Sequence, residues 1–166
     1  MIDYESLFKI SYGLYIVCSG DRNRSNGFIS NTVFQVTSEP PRFAACCNKN
    51  NYTASFIEKY RAFSVSVLSI NAAPELFGRF GYQSGRDLHK LSGMAVRYGS
   101  TGVPIVTDGS IAIMEFRVVQ SVDVGSHLMF IGELVSAERI DDTTEPMTYL
   151  YYRNVRRGKA DRKSVV

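Results

Sequence analysis

Residues 26–53, NGFISNTVFQVTSEPPRFAACCNKNNYT, decide the fold of this chain. The stretch is rich in β-forming residues, which predicts two strands joined by a Glu-Pro-Pro turn at residues 39–41. Small polar side chains stand at one end of each predicted strand, among them Asn26 and Asn31 in the first and Asn48 in the second. So many hydrogen-bonding groups in a β-forming segment indicate the lining for a polar, phosphorylated, planar ligand.

The composition is that of an ordinary soluble globular protein. The chain has 166 residues, a length typical of one domain, and 45% of them are hydrophobic, which is enough for a sizeable core. Charged residues make up 21%. No apolar run reaches the ~18 residues of a membrane span. The first ten residues include two acids, so we expect no secretory signal.

The three cysteines favour a reducing compartment. Their number is odd, and no C-x-x-C spacing occurs among Cys18, Cys46 and Cys47. Adjacent residues of a strand point to opposite faces, so Cys46 and Cys47 are poorly placed to bridge each other. We therefore predict reduced thiols and a cytoplasmic protein.

The net charge of +3 is unevenly distributed, because residues 153–163 hold six Lys or Arg against one Asp. A basic segment of this kind can contact nucleic acid or a membrane surface. No aromatic residue is interleaved with these charges, which weakens a nucleic-acid interpretation. We expect one domain over residues 1–158, a solvated basic tail over 159–166, and neither a nucleic-acid nor a membrane partner.

Hydrophobic periodicity predicts six or so strands with two or three short helices. The strands are predicted at residues 12–19, 28–37, 42–48, 63–70, 109–120 and 127–140. The helices are predicted at 4–10 with an Asp3 cap, at 53–61 with Thr53 or Ser55 as the cap, and at 74–80. Residues 147–157 are compatible with a helix or a strand-to-helix segment. Short turns between strands imply antiparallel pairing, so the predicted class is mostly β, a small barrel with peripheral helices.

A series of short motifs, each weak alone, follows in a specific order and spacing. They are KISYGLYIV at 9–17, NTVFQVT at 31–37, Pro40, C-x-NK-x-N-x-T at 46–53, GRFG at 78–81, TGVP at 101–104, DVG-x-H-x-x-F-x-GE at 123–133, TY-x-x-Y at 148–152 and Gly158-Lys159. In this arrangement the chain resembles the flavin reductase-like family over roughly residues 4–160. The resemblance is closest to the subgroup containing the archaeal ferric reductase and the flavin domain of high-molecular-weight rubredoxin.

The resemblance implies an FMN-binding split β-barrel, built as a homodimer with the flavin at the interface. It also implies reduction of FMN by NADH or NADPH, with electrons passed to a ferric chelate, a flavin or a redox protein. Hydride transfer requires stacking and orientation more than protein acids or bases, so we expect no catalytic triad. Two alternatives remain open: a flavoredoxin-like FMN electron carrier reduced by a partner protein, and a flavin-storage or regulatory protein without turnover.

The resemblance also implies which residues contact the cofactor. The first strand would follow the flavin and its ribityl chain through Asn26, Ile29, Ser30, Asn31 and Thr32. The end of the second strand and the head of the next helix would contribute Cys47, Asn48, Lys49 and Thr53, with Lys90 as a second cation for the phosphate. Phe80 and Tyr152 would stack on or cover the ring. The alternatives are an ordinary polar turn for the first two groups and core packing for the aromatic residues.

Cys46 and His127 form the predicted reactive pair, although they are about 80 residues apart. The resemblance places both near the flavin, where thiolate and imidazole could hold a ferric acceptor. For His127 we favour a hydrogen bond to the nicotinamide carboxamide or the flavin, and for Cys46 packing as a small hydrophobe is equally plausible. Two ligands do not make a stable site, so no resident metal is predicted. Relatives carry His where this chain has Arg153, which argues against an acceptor role for that position.

The sequence contains no Cys₄ iron site, so a one-electron partner would be a separate protein.

Overall fold

Nine strands and three α-helices occur within residues 1–156, the part of the chain that the computed structural model describes. The strands are β1 (Tyr15–Gly20), β2 (Ser25–Ser30), β3 (Val33–Ser38), β4 (Pro41–Asn48), β5 (Ala62–Leu68), β6 (Val96–Tyr98), β7 (Pro104–Val106), β8 (Ser110–Asp123) and β9 (His127–Arg139). The α-helices are α1 (Tyr52–Tyr60), α2 (Pro74–Gly81) and α3 (Tyr149–Tyr151), with a 3₁₀ helix at Tyr4–Lys9 and a π-helical turn at Tyr152–Arg156. The predicted mostly-β class is confirmed.

Seven strands form one antiparallel sheet in the order β2-β1-β5-β8-β9-β4-β3. The two edge strands, β2 and β3, are consecutive in the chain and only Asn31 and Thr32 separate them. A connection this short reaches only about 10 Å, so the sheet must curl until its edges meet there. The backbone N–H of Cys46 in β4 donates to Thr32 O over 3.1 Å at this meeting point. Within residues 1–156, β2 forms a ladder with β1 alone, and the barrel is therefore split between β2 and β4.

The prediction of one continuous strand over residues 28–37 is wrong. The chain bends at Asn31 and Thr32, where side chains replace the ladder hydrogen bonds. The Thr32 backbone N–H donates to Ser30 Oγ over 3.1 Å, and Thr32 Oγ1 donates to Asn31 Oδ1 over 2.9 Å. The predicted pair of strands around the Glu-Pro-Pro turn is confirmed, since β3 pairs antiparallel with β4. The predicted antiparallel pairing also holds for β1 and β2.

The remaining elements differ from the prediction mainly at their ends. The cap of α1 is Asn51, whose Oδ1 accepts from the Thr53 backbone N–H over 2.9 Å, so the predicted cap at Thr53 or Ser55 is wrong. Asparagine caps as well as serine does and stands earlier in the chain. Residues 149–156 are helical, and Thr148 directly before them forms an isolated antiparallel bridge with Gly13, so the segment follows the strand-to-helix alternative. The short strands β6 and β7 lie in a stretch without a clear periodicity and were not predicted.

Three expectations from the sequence lie outside the described residues: the domain boundary at residue 158, the Gly158-Lys159 motif and the basic tail at 159–166. Each helix within residues 1–156 falls short of the length and apolarity that a membrane-spanning segment requires.

Strand β1, the neighbour of the edge strand β2, is buried on both faces and separates two hydrophobic cores. Val17 faces the barrel interior with Phe63, Phe116 and Phe130. Ile16 points the other way, into an outer core that α2 and the carboxyl-terminal helical segment cover. The site-forming strands β2 and β4 are therefore supported by packed side chains, which limits how far their ends can move.

The barrel interior leaves no space for a methyl group at Gly132 of β9. A Cβ added there would lie 2.6 Å from Phe116 Cβ and 2.8 Å from Phe63 Cε1. We expect Gly132→Ala to lower the free energy of unfolding by roughly 1–3 kcal/mol, because the core must be displaced. The matched control is Gly78→Ala in α2, where nothing lies within 4 Å of the added atom. That change should raise stability by about 0.5–1 kcal/mol. Urea unfolding measures both, and equal effects would contradict the packing described.

Candidate functional site

Two buried polar atoms in the described part of the chain, Asn26 Oδ1 and Asn31 Nδ2, have no hydrogen-bond partner. Their residues are only 1% and 3% exposed to solvent. An unpaired buried polar atom costs about 1–3 kcal/mol. The two residues stand at opposite ends of β2, on the order of 16 Å apart at the rise of an extended strand. An elongated polar ligand lying along the split would satisfy both atoms.

A polar cavity of about 210 Å³ lies at the Asn26 end of β2, and we call it the basic cavity. The start of α1, the end of α2 and the loop after α2 form its walls. Its lining consists of Asn26, Asn50, Asn51, Tyr52, Gly81, Tyr82, Gln83, Ser84, Gly85, Arg86 and Lys90. The amino-terminal end of a helix carries partial positive charge, so α1 favours an anion at this place.

Two cations line the basic cavity. Lys90 is buried, and its Nζ donates to Gly27 O over 3.0 Å and to Phe80 O over 3.4 Å. Burial lowers the pKa of Lys90 to about 8. Arg86 Nη1 donates to Asn50 O over 3.2 Å, and its guanidinium lies 4.9 Å from the centre of the Tyr52 ring. A doubly charged phosphate matches this pair of cations, because each can form charge-assisted hydrogen bonds with it.

The Asn26 amide joins β2 to α1, and its unpaired oxygen borders the cavity. Its Nδ2 donates to Thr53 Oγ1 over 2.9 Å. If the amide is turned over, the Thr53 hydroxyl donates to Oδ1 and the amide N–H groups face the cavity. The first orientation suits a ligand hydroxyl group and the second suits a phosphate oxygen. Gly85 permits the close approach, since a Cβ there would lie 2.0 Å from Asn26 Oδ1.

At the other end of β2, the fold brings Cys46 and His127 onto one face of the sheet. In the β4–β9 ladder Asn48 pairs with His127 and Cys46 pairs with Met129, and alternate residues of a strand share a face. Both side chains are partly exposed. We call this surface, formed by Cys46, Asn48, His127 and Met129, the Cys–His face. The bond from the Cys46 N–H to Thr32 O places it beside the Asn31 end of β2.

The residues of the Cys–His face can line a ligand site but are not suited to bind a metal ion. Burial raises the pKa of the Cys46 thiol, which therefore stays protonated at neutral pH and is a weak iron ligand. Within residues 1–156, no group of three His, Cys, Asp or Glu residues could hold a metal ion. His127 Nδ1 lies 2.8 Å from Ser126 Oγ, so its Nε2 is the nitrogen left for a ligand.

Several predicted site residues are core residues. Phe80 is 1% exposed and belongs to the outer core with Tyr152, whose ring stacks on Phe77 at 4.5 Å between centroids. Neither ring is free to stack on a ligand, so we remove both from the set of contacts. Cys47 is buried in the barrel interior, and burial raises its pKa to about 12. The aromatic residues at the cavity are instead Tyr52 and Tyr82, which sequence reasoning had not selected.

The other predicted cofactor residues act in different ways. Lys49 forms an ion pair with Asp123, 2.7 Å between Nζ and Oδ2, and is not part of the cavity lining. Thr53 is fully buried and holds the Asn26 amide. Ile29 and Ser30 are buried within β2, and Ile29 lies under Gly81. Asn26, Asn31, Thr32, Asn48 and Lys90 keep positions at the split or on the two surfaces that flank it.

Comparisons with known proteins agree with this architecture. A family model described as the flavin reductase like domain matches residues 7–159. The chain is 44% identical over 165 residues to the ferric-chelate reductase (NAD(P)H) of Archaeoglobus fulgidus, covering 99% of this chain and 97% of that protein. It is 40% identical over 157 residues to the high molecular weight rubredoxin of Moorella thermoacetica, covering 95% of this chain and 68% of that protein. The resemblance predicted from the motifs is confirmed.

Among solved structures, the NADH:FAD oxidoreductase of Streptomyces globisporus C-1027 has a similar fold. The TM-score is 0.76 at 22% sequence identity, and the match covers 89% of this chain and 91% of that chain. At this identity the likeness concerns the fold alone, and it agrees with the predicted split barrel.

The depressed pKa of Lys90 has a measurable consequence for stability. A lysine in the unfolded chain titrates near ~10.4, so between about pH 8 and 10 the unfolded state binds a proton that the folded state lacks. The free energy of unfolding contributed by Lys90 therefore rises with pH across this window. We expect the difference between the unmodified protein and Lys90→Met to grow by about 2 kcal/mol over it.

The buried Cys18 and Cys47 thiols interact electrostatically with Lys90, but burial raises their pKa to about 12 and keeps them protonated in both folded proteins across this window. Urea unfolding of both proteins at a series of pH values measures the difference. Parallel pH profiles would show that Lys90 is charged and unperturbed in the folded state.

Proposed function

This chain belongs to the flavin reductase-like family, and on that premise we propose that it is an FMN-binding, NAD(P)H-dependent reductase. The observation that carries the proposal is the pair of unpartnered buried atoms, Asn26 Oδ1 and Asn31 Nδ2, at the two ends of the split. FMN has a phosphate at one end, a polyol in the middle and a polar ring edge at the other end. The protein offers matching features in the same order: a cavity with two cations, then an open strand edge, then an unpaired amide donor.

The chain's own groups divide the work of binding along this path. Arg86, Lys90 and the start of α1 hold the phosphate. The free edge of β2 follows the polyol chain, with Asn26 accepting from or donating to it. Asn31 Nδ2 donates to a carbonyl at the edge of the ring, which supplies its missing partner. These contacts fix the plane and depth of the bound ring.

The Cys–His face then borders the reacting part of the ligand. When bound, FMN supplies the redox chemistry, taking a hydride from a nicotinamide and releasing electrons to an acceptor. His127 donates from Nε2 to the nicotinamide carboxamide or to the flavin, and the protonated Cys46 thiol excludes water beside it. The name of the Archaeoglobus fulgidus relative supports a ferric chelate as the acceptor and either NADH or NADPH as the donor.

We propose that a second copy of the chain covers the other side of the cofactor. The edge strand β3 exposes Phe34 and Val36, and the long β8–β9 hairpin exposes Val119 and Val135. An exposed sheet edge with apolar side chains associates readily with another chain. A homodimer would bury these residues. The free thiols of Cys18, Cys46 and Cys47 support a reducing compartment, the cytoplasm, for this assembly.

Anaerobic reduction tests the activity directly. The purified protein loaded with FMN should show a flavin absorbance that NADH or NADPH bleaches, and the colour should return when a ferric chelate is added. Free FMN at the same concentration is the control. Slow bleaching by both nucleotides, together with fast reduction by a redox protein, would instead identify an electron carrier. A protein that binds no FMN would overturn the proposal as a whole.

The variant Asn31→Leu tests whether the unpaired amide of Asn31 contacts FMN. In Asn31→Leu the unpaired Nδ2 is gone, but so is the Oδ1 that accepts from the Thr32 hydroxyl. These two losses act in opposite directions, so the free energy of unfolding of the FMN-free protein should change by less than ~1 kcal/mol. The FMN Kd should increase roughly tenfold, because a buried donor to the ring edge is lost. Asn23→Leu, in the exposed β1–β2 turn, is the matched control and should leave the Kd unchanged. Equal FMN affinity in both variants would remove Asn31 from the site.

A further inference from the structure

The turn between β8 and β9 is fastened to the end of β4 at Lys49. The Lys49 ammonium lies 2.7 Å from Asp123 Oδ2, at the last residue of β8. The backbone N–H of Lys49 donates to Ser126 O over 3.0 Å, at the last residue of the turn. One residue thus contacts both ends of the turn, through its side chain and through its backbone.

Asp123 also organises the turn from within. Its second carboxylate oxygen, Oδ1, accepts from the Gly125 backbone N–H over 3.0 Å. Gly125 has a φ of +126°, which few other residues adopt, and the Val124 N–H donates to His127 O over 3.1 Å. The hydrogen bond from Lys49 is the main reason that the pKa of Asp123 lies below its ordinary value. The carboxylate is therefore charged wherever the protein is folded near neutral pH.

His127 is the first residue after this turn, so the turn sets its position. Across the ladder it pairs with Asn48, the residue directly before Lys49. Its Nδ1 lies 2.8 Å from Ser126 Oγ. The backbone of His127 is therefore held between the turn and the end of β4, and its imidazole contacts the Ser126 hydroxyl of the turn.

We propose that Lys49 and Asp123 are positioning residues for His127, and that Lys49 does not contact the cofactor phosphate. The ion pair keeps the turn closed, and the Ser126 hydroxyl donates to Nδ1, which leaves the proton on Nε2 and directs that N–H over the Cys–His face. The catalytic consequence rests on the proposed function, whereas the ring orientation does not.

The same ladder contains a second ion pair that serves as a control. Arg42 and Glu133 are directly opposite each other in β4 and β9, with 3.1 Å between Nη2 and Oε2. This pair is exposed to a similar degree as Lys49–Asp123 and stands at the other end of β4 from His127. Exposed ion pairs contribute little stability, so breaking either one should leave the protein folded.

The kinetic test uses Lys49→Met, Asp123→Asn, the double variant and Arg42→Met as the control. We expect kcat to fall roughly three- to tenfold in each single variant, with FMN Kd changed less than about twofold. The double variant should be no worse than the singles, because both remove one interaction. Lys49→Arg preserves the ion pair with Asp123, so its kcat should equal that of the unmodified protein. Arg42→Met should also leave kcat unchanged. A higher FMN Kd in Lys49→Met but not in Asp123→Asn would overturn the proposal in favour of a phosphate contact.

An NMR experiment tests the positioning of His127 independently of enzyme turnover. The chain has two histidines, His89 and His127, so ¹⁵N-histidine NMR of the FMN-free protein gives two assignable sets of ring signals. The His127 nitrogens should show a single Nε2-protonated form. In Lys49→Met they should shift toward the average of the two tautomers while those of His89 stay in place. Unchanged His127 signals in Lys49→Met would refute the positioning role, even in a protein that proved unable to bind FMN.

Discussion

The connection of Asn31 and Thr32 between the two outermost strands is the constraint on which this structure depends. Because two residues join opposite edges of a seven-stranded sheet, the sheet has to close on itself at that point. Closure there leaves β2 unpaired along its other side, and the split that results is open to a ligand. The basic cavity and the Cys–His face lie at the two ends of this one opening.

The site is also where the protein gives up stability. Asn26 and Asn31 bury atoms without partners, and Lys90 is a buried amine whose pKa is lowered to about 8. Elsewhere in the described chain such groups are satisfied, as at Glu115, which is buried but accepts hydrogen bonds from Thr101 and Ser136. For that carboxyl the hydrogen bonds outweigh the effect of burial and lower the pKa. Unsatisfied groups confined to one opening are the pattern expected of a binding site.

Sequence reasoning succeeded where a local pattern or an ordered set of motifs carried the information. The Glu-Pro-Pro turn located the β3–β4 hairpin, and alternation located β5, because both signals depend only on neighbouring residues. It failed at Asn31 and Thr32, which look like the middle of a strand, because the bend is made by side chains bonding to their own neighbours.

The sequence by itself determined the class of the fold, the family and the polar character of residues 26–53. Only the tertiary structure decided which of the polar and aromatic residues belong to the site. Phe80 faces a core and Lys49 pairs with Asp123, while Arg86 and Tyr52 meet at the cavity. The reason is physical: residue type fixes what a side chain can bind, but burial and distance depend on strands and helices that are far apart in the chain.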